Sequence, residues 1–473
     1  MKQTTKTLLG LLALVLVAVA VGFAAAWTGK DAEKKAEARE KSEKLFDFDK
    51  AHVKALRLEK EGKLVASLVK DDKGWKIDAP VQTEGDDQAV DSLLGALAGL
   101  KQKKDLGDEK DAKAYGLDAP KLAVTVKLDD GKEQGLQVGV DNSFDNTSYV
   151  RRLSDATIRI IDGYAKASFD KHPFDLRNKK VAHLEDAAEV KRVEVSGVRT
   201  PYALEKDGAA WKLGGAPADG SVADRLVTAV KQLRATGVAE EKAADLAQYG
   251  LDKPKATVKL SVGAGKDTYT RTVRVGQAKS GAVTLKTFAV RDDAPAVYEV
   301  DAQILKDLDK EPFELQDKAL VHADREAIRK LVFEGPGGKV EITRTRPPLA
   351  DGGLSDEQYA VTAPQQGPAK KWKMSSAAYS ITSLKAAAFE GPVPRDLSKF
   401  GLDKPKTATV LGEGGKVLAR VRVGAEKDGK RYALVDGVDK LARVEKGAVD
   451  DWPWTLADAL ETPAPDAGVQ ASK

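Results

Sequence analysis

Short runs in which apolar and charged residues alternate open each of three long stretches of the chain. In the first stretch the runs cover residues 53–58, 63–68 and 74–77, and the third run contains Trp75. Alternation over four to eight residues is typical of a strand with one buried face, so the runs predict antiparallel strands. The corresponding runs of the later stretches cover residues 190–195, 202–205 and 211–213, and then 328–333, 339–344, 359–362 and 372–374.

An amphipathic helix is predicted after the strands of each stretch, because apolar residues recur there three or four positions apart. The first helix is predicted over residues 86–100. A stripe with this spacing suits a helix that covers one face of a sheet. The apolar residues are Val90, Leu93, Leu94, Leu97 and Leu100 in the first stretch, Val222, Leu226, Val230 and Leu233 in the second, and, more weakly, Tyr379, Leu384 and Phe389 in the third.

The same seven-residue phrase follows each predicted helix. It reads YGLDAPK from Tyr115, YGLDKPK from Tyr249 and FGLDKPK from Phe400. The glycines of the three copies lie 134 and 151 residues apart, which is the length of a domain. The period therefore predicts one module used three times. A residue present in all three copies is expected to serve the fold, whereas a single active site is expected in one copy only.

The phrase has the chemistry of a helix end. In the second copy a short helix is predicted over residues 240–249, and Gly250 can adopt the left-handed conformation that ends it at little steric cost. Leu251 is expected to pack back on Leu246, and Pro254 prevents the helix from continuing. The phrase is therefore predicted to lead from a helix into a strand, and it is not a phosphate-binding loop. The equivalent pairs are Leu397 with Leu402 in the third copy and Ala112 with Leu117 in the first.

Three tryptophans, Trp75, Trp211 and Trp372, occupy matching places in the predicted strands. Large aromatic side chains dominate the cores of domains, so we expect all three to be core anchors. The alternative is a carbohydrate-stacking role for all three.

Further strands are predicted after each phrase, and they contain Val-Gly at residues 138–139, 275–276 and 423–424. Each copy thus reads roughly as three strands, two helices, four strands and a closing helix. The spacing is that of hairpins and leaves no room for long crossovers. The predicted fold class is therefore α+β, with three tandem modules of antiparallel sheet and packed helices.

The N-terminal region carries an almost unbroken apolar run over residues 8–27. Twenty residues of helix span about 30 Å, which is enough to cross a bilayer. Lys2 and Lys6 precede the run, and positive charge on that side favours a cytoplasmic N-terminus. We expect a retained single-pass anchor in the inner membrane, with the bulk of the chain in the periplasm. The alternative is a signal peptide cleaved near the alanines at 24–26.

The chain is accordingly divided into six parts. The first three are the anchor at residues 1–29, a charged helical stalk at 30–44 and a first module at 45–181. The others are a second module at 182–321, a third module at 322–460 and a disordered tail at 461–473.

Composition excludes several classes of function. The 77 basic and 73 acidic residues leave a net charge of +4, which is too balanced for a dedicated nucleic-acid binder. The chain has no cysteine, so disulfides, lipoprotein anchoring and thiolate metal sites are excluded.

Residues able to carry chemistry are sparse. Of the four histidines, His52, His172, His183 and His322, the last two follow the closing phrases of two copies at about the same place, so a shared structural role rather than a metal site is expected for His183 and His322. The glycine-rich segments 263–267 and 335–339 are predicted to be hairpin turns, and residues 141–146 a plain turn rather than a calcium loop. We assign no catalytic, cofactor-binding or metal-binding residue and no cofactor.

The apolar N-terminal run, KLFDFD at 44–49, GWKI at 74–77, the repeated phrase, the Val-Gly pairs and FDLRNK at 174–179 together resemble the bacterial domain-of-unknown-function family numbered 4340. The resemblance covers nearly all of the chain beyond the anchor. It is strongest in the first copy and weakest in the third, which lacks the closing Phe-x-Leu-Arg. It implies an envelope protein, often encoded beside components of gliding-type ABC transporters. No catalytic residue is established for the family, so none is carried over.

Three hypotheses of function follow. The leading one is a non-enzymatic, membrane-anchored accessory or scaffold of an inner-membrane complex, with ABC transporter subunits as the expected partners. The second is a periplasmic or surface glycan-binding protein released by signal cleavage. The third is a hydrolase of envelope polymers, which requires close carboxylates in one cleft of one copy. The sequence leaves the oligomeric state open.

Overall fold

The structure is a computed structural model that describes residues 42–108, 111–142, 144–185, 187–263, 268–280, 284–347, 353 and 355–461. The predicted anchor, residues 30–41 of the predicted stalk and residues 462–473 of the predicted tail lie outside this range. Within the described ranges, no helix has the length and apolar character needed to span a bilayer.

Three sheets of nine strands each, all joined by antiparallel pairing, form the framework of the protein. The first sheet contains β1 (Val53–Lys60), β2 (Lys63–Asp71), β3 (Gly74–Ala79), β4 (Thr83–Glu84), β5 (Lys104–Asp105), β6 (Leu122–Leu128), β7 (Glu133–Asn142), β8 (Thr147–Arg152) and β9 (Ile158–Asp162). The second contains β10 (Val190–Ser196), β11 (Tyr202–Asp207), β12 (Ala210–Leu213), β13 (Ala216–Pro217), β14 (Ala235–Glu240), β15 (Ala256–Val262), β16 (Tyr269–Ser280), β17 (Thr284–Arg291) and β18 (Val297–Val300). The third contains β19 (Lys330–Gly335), β20 (Gly338–Thr345), β21 (Gln358–Ala363), β22 (Gly367–Pro368), β23 (Ala388–Pro392), β24 (Lys406–Leu411), β25 (Val417–Lys427), β26 (Lys430–Val435) and β27 (Lys440–Glu445).

The strand order is identical in the three sheets. It runs β4-β3-β2-β1-β6-β7-β8-β9-β5 in the first, and the second and third sheets follow the same order with their own strands. Two meanders therefore meet where the first and sixth strands of each repeat pair. The repetition of the module, which the sequence predicts, is confirmed.

Helices contribute little to the described part of the chain. They are α1 (Asp87–Ala98), α2 (Gly163–Ala167), α3 (Gly220–Lys231), α4 (Gln303–Leu308), α5 (Pro312–Leu315), α6 (Lys371–Thr382), α7 (Lys446–Asp450) and α8 (Leu456–Ala459). The predicted α+β class is therefore right only in that helices and antiparallel sheets occur together, because the described protein is mostly β. The apolar faces of α1 and α3 are confirmed, with Val90, Leu93, Leu94 and Leu97 buried in α1 and Val222, Leu226 and Val230 in α3.

The second helix predicted for each module is wrong. In the second repeat Glu240 ends edge strand β14, and only residues Ala247–Tyr249 form a single 3-10 turn before Gly250. The third repeat has the same arrangement, with a turn at Ser398–Phe400. Residues between the edge strand and the turn are therefore irregular where the sequence indicates a helix.

The helix-end chemistry of the repeated phrase is confirmed. Gly250 has φ of 65° and donates a backbone hydrogen bond to Ala247, while the amide of Leu251 donates to Leu246 at 3.0 Å. These are the two hydrogen bonds of a Schellman cap. In such a cap a left-handed residue ends the turn, and the last carbonyls of the turn accept bonds from the amides of that residue and the next one. The other copies make the same bonds, from Gly116 and Leu117 and from Gly401 and Leu402.

The glycine of each Val-Gly pair packs directly against the cap. A Cβ at Gly276 would lie 2.3 Å from the carbonyl oxygen of Gly250, and the contact distances are equally short at Gly139 and Gly424. The aromatic residue that opens the phrase also contacts a ring on the next strand, Tyr249 against Phe288, with centroids 5.0 Å apart. Each repeat thus locks its cap onto its sheet.

Two of the three predicted tryptophan anchors are confirmed, because Trp75 and Trp211 are buried. The third prediction is wrong, since Trp372 lies on helix α6 and not on a strand, and its side chain is 71 % exposed. Tyr359 takes the core position instead. It pairs with Arg344 across β20 and β21, as Trp75 pairs with Lys70 across β2 and β3.

The apolar face predicted for the third helix is also wrong. Tyr379 is exposed, Leu384 follows the helix, and Phe389 lies on β23. The buried residues of α6 are Met374, Ala377, Ala378 and Ile381. The core of this repeat is completed by Trp452 and Trp454, both of which contact Phe333.

The chain forms two compact units that do not coincide with the repeats. One unit contains the described residues up to Val198 together with Leu226–Asp309, and the other contains Arg199–Arg225 together with the described residues from Lys310 onward. The first sheet lies in the first unit and the third sheet in the second. The module boundaries given above remain predictions.

Candidate functional site

A linker segment, which begins in a short 3-10 helix at Pro173–Leu176, joins the first repeat to the second within the first unit. We call residues 174–181 the first linker. On one side it pairs with the segment before α1, since Asp86 donates its amide to Leu176 at 2.7 Å and Asn178 donates to Glu84 at 2.9 Å. On the other side it pairs with the segment after α3, through the bonds from Ala235 to Lys179 at 2.7 Å and from Val181 to Leu233 at 2.8 Å. One segment is thus part of the backbone pairing of both repeats.

The second linker, residues 313–320, makes the same pattern of bonds within the second unit. Asp219 donates to Leu315 and Asp317 to Pro217, and beyond α6 Ala386 donates to Lys318 at 2.8 Å. The chain before the first repeat makes only the second half of this pattern, because Leu45 donates to Leu100 and Gln102 to Glu43. Buried or paired backbone of this kind does not behave as a flexible tether.

Arg177 is the charged centre of the first linker. Its side chain is 5 % exposed and makes two hydrogen bonds to Glu241, at 2.9 and 2.7 Å. The guanidinium also lies over the ring of Tyr298, 5.5 Å from its centroid. Two parallel bonds and a ring face are the contacts for which a planar guanidinium is suited. Gln316 occupies the equivalent position of the second linker. The Arg177–Glu241 pair therefore occurs at the first joint, by which we mean the junction that the first linker forms between the first and second repeats, and not at the second.

A cleft of ≈1070 Å³ opens beside Arg177 in the first unit. Glu84 contributes a carboxylate whose Oε2 lies 2.9 Å from Nδ1 of His183, and Asp293 is paired with Arg271 and, at 2.5 Å, with Arg291. Each of these carboxylates therefore has a cationic partner or a histidine beside it.

The electrostatics of the cleft favour the ionised forms of Glu84 and Asp293. Burial by itself would raise the pKa of Glu84, but the hydrogen bond with His183 and the charges of His183 and Arg291 hold this pKa below its ordinary value. Burial likewise opposes ionisation of Asp293, and Arg271 and Arg291 outweigh it, so the pKa of Asp293 is lowered. A general acid needs a raised pKa. The arrangement of these two acids suits a clamp between repeats.

Replacement of Arg177 by alanine is expected to lower the free energy of unfolding of the first unit by about 1–3 kcal/mol. The loss is smaller than for a fully buried pair because the side chain of Glu241 is 38 % exposed. A double-mutant cycle with Glu241→Gln, followed by urea unfolding, should give a coupling of about 1 kcal/mol. Arg57→Ala, which removes a surface pair with Glu59, is the control. Equal losses for the two arginines would contradict the clamp.

A second ionic cluster lies in the third repeat. Glu357 accepts hydrogen bonds from the hydroxyl of Tyr359 at 2.5 Å, from Arg325 at 2.5 Å and from the buried Arg344 at 3.2 Å. Burial opposes the charge of Glu357, but these three donors lower its pKa to about 2. Burial and the bond to Glu357 raise the pKa of Tyr359 to about 12.

This cluster predicts a loss of stability in acid. The folded-state pKa of Glu357, about 2, lies below its ordinary value of 4.5. Its contribution is therefore complete above the ordinary value and disappears as the pH falls toward the folded-state value. We expect Glu357→Gln to destabilise the protein by about 2 kcal/mol at neutral pH and by much less near pH 3. Urea unfolding of both proteins across this range checks the prediction, and a pH-independent difference would contradict it.

The residues that the sequence singles out for chemistry do not come together. His52 lies 2.7 Å from Asp129, His183 lies at the first joint, and His322 lies 4.0 Å from Asp317. In the described ranges no three His, Cys, Asp or Glu side chains are grouped as a metal site would require. Residues 335–339 form the predicted hairpin turn between β19 and β20. Residues 264–267 of the other glycine-rich segment lie outside the described ranges.

Sequence reasoning missed one surface. Trp372 and Tyr379 are 71 % and 61 % exposed on the same helix, α6. The lysines on both sides of Trp372, in the run AKKWK at 369–373, are the signal that should have placed this ring at the surface. Strand-like alternation in Trp-Lys-Met hid it, because three residues cannot distinguish a strand from one turn of helix.

These features define a class: a repeat protein of mainly β structure whose linker segments form backbone hydrogen bonds with the repeats on both sides. Residues 75–216 and residues 211–361 each match the model of one family, described as a domain of unknown function, DUF4340. The two matches together cover more than half of the chain, so the protein belongs to this family. Each match contains one of the two linkers. No curated protein and no solved structure matches the chain.

Proposed function

We propose that the protein is a non-enzymatic scaffold of the bacterial envelope, anchored in the inner membrane by residues 1–29 and serving as an accessory to a membrane complex. The observation that carries the proposal is the pairing of each linker with two repeats. A chain built this way presents its repeats at fixed joints, which suits a protein that holds partners in place.

The chemistry of the cleft beside Arg177 supports the same role. Arg177 pairs with Glu241, Glu84 with His183, and Asp293 with Arg291. The pKa values of Glu84 and Asp293 are lowered. Such ion pairs make the junction between two repeats more rigid. These charged groups pair with one another in the absence of any ligand. An exporter of the ABC type is the partner class we propose, on the resemblance of the sequence to envelope proteins encoded beside such transporters.

Crosslinking in cells tests the proposal. The anchored protein is crosslinked, purified from membranes and analysed by mass spectrometry, and a version lacking residues 1–27 but exported by another signal serves as the control. Transporter subunits that co-purify with the anchored form and not with the control are the expected result. Recovery of no membrane protein, or full activity of the soluble version in a strain lacking the native protein, would overturn it.

The alternative of a released glycan-binding protein loses one of its supports. Trp75 and Trp211 are buried, so a stacking role for all three tryptophans is wrong. Cleavage near residues 24–26 remains a prediction, and the N-terminal residue of the mature protein decides it. A start at Trp27 would favour release over anchoring.

A further inference from the structure

Two large aromatic side chains face solvent from one side of helix α6 in the third repeat. Trp372 and Tyr379 are seven residues apart, which is two helical turns and about 10.5 Å along the axis. Both lie opposite the buried stripe of the helix, and the exposed residue between them is Ser376. The hydroxyls of the same face alternate with the rings.

This surface is present in one repeat only. The buried residues of α1 and α6 have the same spacing, which aligns Gln88 with Trp372 and Gly95 with Tyr379. Helix α3 carries Ser221 and Thr228 at these two positions. Residues that the module needs for folding are present in every copy, so two rings found in a single copy point to a role outside the fold.

The charge around Trp372 is positive. Lys373 lies with its Nζ 5.8 Å from the centroid of the indole, and Lys370 bonds to the carbonyl of Ala457 at 2.7 Å. Lys371 lies 3.2 Å from Asp356, and both side chains of that pair are more than half exposed. Three lysines therefore adjoin Trp372 in the sequence and one of them is paired with an acid, so an anionic partner would complement the remaining positive charge.

We infer that this face of α6 binds an anionic polysaccharide. The flat faces of Trp372 and Tyr379 stack against sugar rings, the hydroxyl of Ser376 bonds to sugar hydroxyls, and the lysines near Trp372 pair with the carboxylates of the polymer. The inference does not depend on the exporter as a partner.

Other occupants fit less well. A helix that binds a bilayer surface presents a broad face of aliphatic and aromatic side chains, whereas Ser376 and Ser383 interrupt this one. A protein partner is anchored by a contiguous apolar centre, which two rings separated by two turns do not provide. A neutral polysaccharide carries no carboxylates that pair with the lysines.

The test uses the full chain held in nanodiscs of phosphatidylcholine. Two probes share the chemistry but not the source: polygalacturonate and purified peptidoglycan sacculi. Dextran is the neutral control. We expect Trp372→Ala and Tyr379→Ala each to weaken binding to at least one anionic probe by about tenfold. Tyr164→Ala removes an equally exposed ring from the first repeat, 72 % exposed, and should leave affinity unchanged.

Protection of the indole gives a second readout. Trp75, Trp211, Trp452 and Trp454 are buried, so among the described tryptophans acrylamide quenches Trp372 most readily. The bound polymer should reduce this quenching in the parent and not in Trp372→Phe. Lys371→Gln with Lys373→Gln should weaken binding and reduce its dependence on salt.

Five results would overturn the inference. The first two are binding of dextran by the parent as tightly as both anionic probes, and binding of none of the probes. The third is binding of the anionic probes by the ring variants as by the parent, with unfolding at the parent's temperature. The fourth is a loss of affinity of the ring variants only for vesicles of phosphatidylglycerol, which would assign the face to a bilayer. The fifth is greater quenching of Trp372 without any probe in a chain that ends at Glu461, which would make residues 462–473 the occupant.

Discussion

Alanine in place of Gly276 should destabilise the second repeat by about 3 kcal/mol or more, although it adds only one methyl group. The added Cβ would lie 2.3 Å from the carbonyl oxygen of Gly250 and 2.8 Å from that of Tyr249. Both contacts are with backbone atoms, which cannot turn away as a flexible side chain can. Relief therefore requires separation of strand β16 from the cap.

A glycine on strand β14 of the same repeat provides the control. A Cβ at Gly237 would come no closer than 3.9 Å to side-chain atoms of Glu299, so Gly237→Ala should change stability by less than about 0.5 kcal/mol. Urea unfolding of both variants, with hydrogen exchange of the amide of Leu251 as the local readout, measures the difference. Similar unfolding of the two variants would show that the cap and the strand are not locked together.

Alanine in place of Trp75 should reduce the stability of the first unit by about 3–5 kcal/mol. Trp75 is 5 % exposed. Its backbone amide donates to the side chain of Asp87 at 2.8 Å, and its backbone carbonyl accepts from the amide of Gly85 at 2.8 Å. Loss of the indole leaves a cavity between β3 and helix α1, which the neighbouring backbone bonds prevent from collapsing.

Trp372→Ala is the matched control for this experiment, because the same chemical change is made at a site that is 71 % exposed. It should change the stability by less than about 0.5 kcal/mol. Thermal and urea unfolding of the two variants give the comparison. A large loss from Trp372→Ala would mean that this ring is packed in the core, as the sequence pattern predicts, and would also remove the basis of the polysaccharide site.

The features predicted correctly from the sequence are those encoded over a few residues. The cap at Gly250 depends on a glycine, a leucine five residues after its partner and a proline, all inside one phrase. The buried stripe of α1 runs from Val90 to Leu97, about two turns, and is periodic throughout. Repetition of the phrase also establishes the number of modules, because three copies at domain spacing leave no other interpretation.

The features that the sequence did not reveal depend on partners far away in the chain. Arg177 contacts Glu241, 64 residues later, and no local pattern connects the two. Gly276 looks like any strand glycine until the carbonyl of Gly250 is placed against it. The hydrogen bonds of the linkers are made by backbone atoms, so the pattern of side chains along the sequence does not indicate them.

Short edge strands account for the error in fold class. Strands such as β5 and β14 hold few apolar residues, and the segment after β14 contains Glu241, Lys242 and two alanines, which favour a helix by intrinsic propensity. Pairing with β18 makes residues 235–240 a strand, so the helix predicted over residues 240–249 does not begin at Glu240. The strand predicted at residues 372–374 is wrong for the opposite reason. A helix begins there, at three residues whose alternation resembles that of a strand.

Hydrogen exchange of the two linkers in the full-length protein tests the central claim most directly, because a scaffold with fixed joints requires them to be paired. The amides of Asn178, Val181, Leu320 and Ala386 should exchange as slowly as those in the middle strands of the sheets. Exchange at the rate of an unprotected chain, with the sheets still protected, would show that the repeats are tethered flexibly and would contradict the account.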